Sequence, residues 1–125
     1  MEKIPIKNQM NTVFVHVTNL KISAKWYGDL LGLEIDLESI KSPVYNLPVV
    51  GSTSLTLDDH AFDPTFQHQV TVNPIFNLYA PNIDEAYSYV KEKGIEIVRE
   101  IEWVEDVAWF NIKDYDGNVM MICNC

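Results

Sequence analysis

Hydrophobic and polar side chains alternate from Thr12 to Val17, which is the pattern of a β-strand with one buried face. The valines occupy one face of this predicted strand. The opposite face carries Thr12, Phe14 and His16. If this strand contacts a ligand, we expect Thr12, Phe14 and His16 to make the contacts.

Immediately after this strand, the spacing of the apolar residues changes to that of a helix. Asn19 or Ser23 can cap the helix, apolar residues recur three to four positions apart, and Gly32 ends it. Three short strands are predicted next, at about 33–38, 44–49 and 54–57. The first half therefore has the order βαβββ.

The second half repeats this order after a polar connection. A strand is predicted at 75–80, and Asn82 with Glu85 forms a capping box that opens a helix ending at Gly94. Three strands follow, at about 95–103, 107–113 and 119–123. We divide the chain into a first module at 11–58, a linker at 59–73 and a second module at 74–125, all within one domain of 125 residues.

The last two strands flank the segment Asp114-Tyr115-Asp116-Gly117-Asn118. Gly117 can adopt the positive φ that a tight reversal requires, and the neighbouring Asp and Asn side chains can bond nearby backbone. This segment predicts a β-hairpin. The internal repeat predicts an α+β fold in which two βαβββ modules, in a pseudo-two-fold arrangement, form a curved sheet cup.

Charge and composition narrow the class of partner. The net charge of −9 argues against nucleic acid and against an anionic membrane surface, because both repel an acidic protein. There is no apolar run of membrane-spanning length, and the N-terminal segment has no apolar signal-peptide core, so we expect a cytoplasmic protein. Cys123 and Cys125, two residues apart on a strand, are expected to remain reduced thiols.

Two motifs support a resemblance to a known superfamily. In the first half the segment 19–33 contains Asn19-Leu20, Ser23, Trp26-Tyr27 and Leu31-Gly32. In the second half Asn82-Ile83-Asp84-Glu85-Ala86 precedes Lys93-Gly94, and the Asp-Gly-Asn turn follows. With the repeated βαβββ order, the chain resembles the vicinal oxygen chelate superfamily, which includes glyoxalase I, extradiol dioxygenases and bleomycin-resistance proteins.

The resemblance also locates the places where enzymes of that superfamily hold a divalent metal. These places fall on Thr12, Ile75, Met121 and approximately Thr56. His, Asp or Glu would be expected there in a metal enzyme, and none of the four is such a residue. We therefore expect neither a family-type metal centre nor another cofactor. The resemblance further implies a homodimer.

Strand alternation predicts which side chains face the cup. The predicted ligand-binding set combines aromatic walls with a few polar groups, as small-molecule pockets do: Thr12, Phe14, His16, Thr56, Asn77, Tyr79, Trp109, Asn111, Met121 and Cys123. Ser54 shares this face. The alternative is that the sheets close and these residues pack as core, although several buried amides would be costly there.

His16 is the one candidate general base, although a histidine bonded to its surroundings explains the same position. His60 follows two aspartates and is expected to lie in a solvated turn, and His68 is expected to be exposed. Neither a Cys-His pair nor a serine nucleophile motif is present, so covalent catalysis lacks support.

These patterns favour a metal-independent protein that binds a small organic molecule, for example by sequestering an aromatic or antibiotic-like ligand. The alternative is a metal-dependent glyoxalase-like lyase or isomerase, or a dioxygenase, that uses a nonstandard ligand set such as His16 with loop carboxylates. A third possibility is an interaction module without a small ligand.

Overall fold

The computed structural model of the chain describes residues 3–125, so the first two residues of the N-terminal segment lie outside it. The first half contains β1 (Thr12–His16), α1 (Leu20–Leu31), a one-turn 3₁₀ helix (Leu37–Ser39), β2 (Val44–Leu47) and β3 (Ser54–Asp58). The second half contains β4 (Asn77–Tyr79), α2 (Ile83–Glu92), β5 (Ile97–Val104), β6 (Val107–Lys113) and β7 (Val119–Cys123). Neither helix in the described part of the chain has the length and apolarity that crossing a bilayer requires.

The strands form two mixed sheets. The first sheet has the order β1-β3-β2, with β1 parallel and β2 antiparallel to β3. The second has the order β4-β7-β6-β5, with β4 parallel to β7 and the other neighbours antiparallel. One helix follows the first strand of each half. The α+β class and the repeated strand-helix-strands arrangement with a curved sheet are confirmed.

Both helices begin where the sequence predicts. The Asn19 side chain accepts a hydrogen bond from the Ile22 amide at 3.0 Å, and the Asn82 side chain accepts one from the Glu85 amide at 3.1 Å. Gly32 ends α1 with φ of 68°, a left-handed conformation that glycine adopts without steric cost.

The predicted strand at 33–38 is wrong. Asp36 instead accepts a hydrogen bond from the Glu38 amide at 3.1 Å and caps the 3₁₀ turn at Leu37–Ser39. A short polar side chain that bonds the backbone two residues ahead favours a turn over an extended strand. The first sheet consequently has three strands, whereas the second has the predicted four.

The turn between β6 and β7 joins the two halves. The hairpin is confirmed by the antiparallel pairing of Lys113 with Val119. From this turn, Asp116 accepts hydrogen bonds from the Thr18 amide at 3.2 Å, the Thr18 hydroxyl at 2.6 Å and the Ser23 hydroxyl at 3.2 Å. Asn118 donates to the carbonyl of His16 at 2.9 Å. The segment therefore ties β1 and the start of α1 to the second sheet.

Candidate functional site

A row of cross-strand partners traverses one face of the second sheet. Arg99 of β5 lies opposite Asn111 of β6, and Asn111 lies opposite Met121 of β7. Met121 in turn lies opposite Asn77 of β4. Because side chains of directly opposed residues lie on the same face of a sheet, these four form one continuous strip. Three of them belong to the set predicted from alternation.

An adjacent row contains three further members of that set. Trp109 of β6 lies opposite Cys123 of β7, and Cys123 lies opposite Tyr79 of β4. Tyr79 is 70% exposed, whereas Cys123 is 3% exposed. The aromatic side chain at the β4 edge is therefore available to a ligand or a second chain, and the cysteine is not.

A cavity of about 440 Å³ opens above part of these rows. The predicted residues Asn77, Tyr79 and Cys123 do not line it. Its floor includes Trp109, Asn111 and Met121, and residues 70–74, at the end of the linker and the start of the second module, line one side. Arg99 and Lys113 also line it. The volume lies within the range of small-molecule pockets, roughly 300–1,000 Å³. This cavity is the candidate functional site.

Sequence reasoning missed the two cations and the linker as parts of this site. Alternation from Asn111 could have found Lys113, which lies two residues further along the same strand. Arg99 was harder to place because the β5-β6 register shifts on both sides of it. In an irregular pair, period two does not decide which face a residue occupies.

Asn111 is the polar group of the floor. Its side chain is buried, with 5% exposure, and its Oδ1 atom has no hydrogen-bond partner among the described residues. A buried amide oxygen without a partner destabilises the folded state by roughly 1–3 kcal/mol. A ligand that bonds this amide would remove that penalty, so an unsatisfied group at this place is consistent with a binding function.

The predicted residues of the first sheet lie elsewhere. The Thr12 and Thr56 hydroxyls are 2.6 Å apart, and Thr56 donates to Asn46 Oδ1 at 2.5 Å. Phe14, on the same face, is 49% exposed. No first-sheet residue lines the 440 Å³ cavity, so within one chain the structure separates this group from Trp109, Asn111 and Met121.

The residues at the superfamily's metal positions do not fit a metal. The hydroxyls of Thr12 and Thr56 bond one another, Ile75 is a half-exposed aliphatic residue, and Met121 offers only a thioether. Hard and borderline divalent ions require carboxylate, imidazole or thiolate ligands. Within residues 3–125, no three His, Cys, Asp or Glu side chains are arranged to hold a metal ion.

The histidines form a cluster at the end of β1, which corrects two expectations. His16 Nδ1 lies 2.6 Å from His60 Nε2, and the His60 ring stacks on Phe66 with centroids 3.5 Å apart. His60 is therefore packed and not in a solvated turn. Both ring nitrogens of His68 are buried, with no hydrogen-bond partner in residues 3–125, so its expected exposure is wrong as well.

The pKa of His16 follows from this packing. Burial lowers it from the ordinary value of 6.5, and the neighbouring His60 lowers it further, while Asp58 acts in the opposite direction. The imidazole of His16 is thus biased toward its neutral form. Neutral imidazole can accept a proton, as a general base must, but none of the three histidines lines the cavity beside Trp109.

The expectation of two reduced thiols is wrong, because the structure joins Cys123 to Cys125 in a disulfide. The strand ends at Cys123, and the two Cα atoms lie 5.4 Å apart, inside the range that a disulfide spans. Cys123 therefore has no free thiol to offer a ligand.

Comparisons with known proteins agree with this fold. The sequence model of the Glyoxalase/Bleomycin resistance protein/Dioxygenase superfamily matches residues 9–122. No curated protein matches the chain.

Three solved structures show the same fold at low sequence identity. A protein described only as a conserved domain protein superposes with a TM-score of 0.72 at 15% identity, covering 92% of this chain and 96% of its own. Oxidase ChaP-H2 superposes with a TM-score of 0.67 at 18% identity, covering 96% of this chain and 95% of its own. Lactoylglutathione lyase from Agrobacterium tumefaciens superposes with a TM-score of 0.66 at 19% identity, covering 94% of this chain and 93% of its own. Because the family match spans nearly the whole chain, the protein belongs to the Glyoxalase/Bleomycin resistance protein/Dioxygenase superfamily.

Proposed function

We propose that this chain is a metal-independent binding protein that holds a small, planar organic molecule in the cavity beside Trp109. The observation that carries the proposal is the buried Asn111, whose amide oxygen lacks a partner beneath a 440 Å³ cavity. Trp109 supplies a ring face and Met121 an adaptable apolar floor. The site thus offers stacking area and an unused hydrogen-bonding group, which are features of ligand pockets.

The replaced metal positions support the metal-independent part of this proposal. Thr12, Thr56, Ile75 and Met121 give no set of donors that a divalent cation prefers. Sequestration of an aromatic or antibiotic-like ligand requires no metal ion.

A titration of chelator-treated protein with naphthalene-2-carboxamide, followed by calorimetry, tests this proposal. We expect saturable binding at one site per chain. Replacing Trp109 with alanine should weaken it about fivefold or more, because loss of a stacked aromatic contact costs roughly 1 kcal/mol or above. The matched control is Trp103→Ala, since Trp103 is 55% exposed and does not line the cavity. Equal loss of affinity in both variants would overturn this location for the site.

A metal-dependent lyase, isomerase or dioxygenase is the second candidate. The observation that favours it is the approach of His16 Nδ1 to His60 Nε2 at 2.6 Å, with Asp58 Oδ2 3.8 Å from His60 Nε2. In the described structure these side chains are not arranged to hold a metal ion, so this candidate requires them to rearrange. A divalent ion held there would act as a Lewis acid. Addition of Zn²⁺ or Ni²⁺ raises the melting temperature under this alternative and leaves it unchanged under our proposal.

We further propose a homodimer in which exposed aromatic residues of the predicted set are covered. Phe14 and Tyr79 are 49% and 70% exposed in the single chain. Burial of such side chains against a second copy would stabilise association. Sedimentation that finds only monomer at micromolar concentration would contradict the dimer. If no small molecule binds at all, an interaction module becomes the better explanation.

A further inference from the structure

We infer that the ligand of this cavity is an aromatic carboxylate, whose negative charge is held between Arg99 and Lys113 while its ring lies on Trp109. The inference rests on the proposed function, because it names the class of ligand for the same cavity. The shape of the cavity does not decide between an anionic ligand and a cationic, antibiotic-like one. The charges around the cavity do.

The three hydrogen-bond donors lie close together on the sheet. Arg99 lies directly opposite Asn111, and Lys113 lies two residues beyond Asn111 on the same strand. Such neighbours have Cβ atoms about 5 Å and about 7 Å apart, respectively. All three side chains line the cavity. An anion above Asn111 is therefore within reach of both cations.

The amide of Asn111 completes this group. Its oxygen is buried without a partner among the described residues, whereas its nitrogen is not one of the buried unpartnered atoms. The NH₂ group can therefore donate a hydrogen bond to a carboxylate oxygen in the cavity. The anion would then have one hydrogen-bond donor from the floor and two cations beside it.

The charged residues that line the cavity are opposite in sign to the net charge of the whole chain. The protein has 18 acidic and nine basic residues. Of the described residues that line the cavity, two are basic and none is acidic. This concentration of positive charge favours an anion at this place and disfavours a cation.

Arg99 and Lys113 each form an ion pair with a glutamate, but a ligand carboxylate can replace that glutamate. Arg99 donates to Glu102 from Nε at 2.9 Å and from Nη2 at 2.6 Å. This pair uses two of the five guanidinium donors. The Lys113 to Glu96 distance is 3.8 Å. Because these side chains are largely exposed, their ion pairs are weak and compete poorly with a ligand on the drier floor.

The apolar end of the ligand is defined by the other lining residues. The indole of Trp109 and the thioether of Met121 lie on adjacent strands of the same face. An aromatic ring can stack on the first and contact the second. A carboxylate attached directly to that ring would point along the sheet toward Asn111.

Three probes with one ring system test this inference: naphthalene-2-carboxylate, its neutral carboxamide, and naphthalen-2-ylmethylammonium. We expect the carboxylate to bind about tenfold more tightly than the carboxamide, and the ammonium to bind most weakly. Arg99→Gln and Lys113→Gln should each remove most of the carboxylate's advantage and change carboxamide affinity less than about twofold. Lys25→Gln is the matched control, because it removes the same charge from an exposed ion pair on α1.

The outcomes distinguish this inference from the proposed function. Tighter binding of the carboxylate that depends on Arg99 and Lys113 supports the inference. Equal or tighter binding of the carboxamide or the ammonium overturns it and leaves the binding function intact. Failure of all three probes to bind overturns both.

Discussion

The Tyr27 hydroxyl donates a hydrogen bond of 2.7 Å to Asp114 Oδ2 across 87 positions of sequence. Tyr27 is fully buried and Asp114 is 7% exposed. Asp114 also accepts hydrogen bonds from the amide of Asp116 and from both the amide and the side chain of Asn118. These hydrogen bonds fix helix α1 to the turn between β6 and β7. The same two strands contain the floor residues of the candidate site.

Tyr27→Phe should lower the free energy of unfolding by roughly 1–3 kcal/mol, because it removes one donor from a buried carboxylate. Urea denaturation measures this change. Tyr115→Phe is the control, since Tyr115 lies in the same turn and is 56% exposed. Equal effects of the two substitutions would show that the buried bond contributes nothing specific.

Asp116→Ala should destabilise the protein by about 1–2 kcal/mol, because Thr18 and Ser23 lose their shared acceptor. The same substitution at Asp106, in the turn between β5 and β6, should have little effect because its side chain is exposed. Thermal unfolding compares the two. An Asp116→Ala variant as stable as the parent would contradict the role of this turn in joining the halves.

Asn111→Leu should raise the free energy of unfolding by about 1 kcal/mol while weakening ligand binding, because it replaces an unsatisfied buried amide with an apolar side chain of similar size. Asn118→Leu is the contrasting variant. Its amide bonds His16 and Asp114, so its replacement should destabilise the protein. A destabilised Asn111→Leu with unchanged binding would argue for an ordinary packing role.

Stability should fall as the pH drops below about 6.5. The pKa of His16 is lowered in the folded state by burial and by His60, so the unfolded chain binds this proton more tightly. The stability that neutral His16 contributes is therefore fully present above 6.5 and is lost as the pH falls through the folded-state pKa. The slope for one proton is at most about 1.4 kcal/mol per pH unit.

His16→Gln should flatten this part of the stability profile, measured by urea denaturation at successive pH values. Asp58, His60 and His68 are the other charged or titratable groups beside this ring. A profile unchanged by His16→Gln would exclude His16 as its source.

Periodicity and capping predicted the elements well because these are local properties of the chain. Both helix starts depend on an asparagine that bonds the amide three residues ahead, and the final hairpin depends on its own turn. The strand at 33–38 failed for the same reason, since Asp36 makes a competing local bond. Local chemistry therefore explains both the correct and the incorrect elements.

The site was only partly predictable because it depends on register and on long-range packing. Alternation found Trp109, Asn111 and Met121, which lie in regular strands. It could not place Arg99 beside a register shift, nor show that residues 70–74 fold over the sheet. The stacking of His60 on Phe66 likewise depends on a loop with no periodic signal.

The metal content of the purified protein decides between metal-independent binding and a metal enzyme. The protein should be purified without chelator or affinity-tag metal and measured by plasma mass spectrometry. We predict far less than one divalent ion per chain, because the superfamily's ligand positions hold Thr12, Thr56, Ile75 and Met121. One tightly bound divalent ion per chain would contradict the account and direct attention to the histidine cluster at His16 and His60.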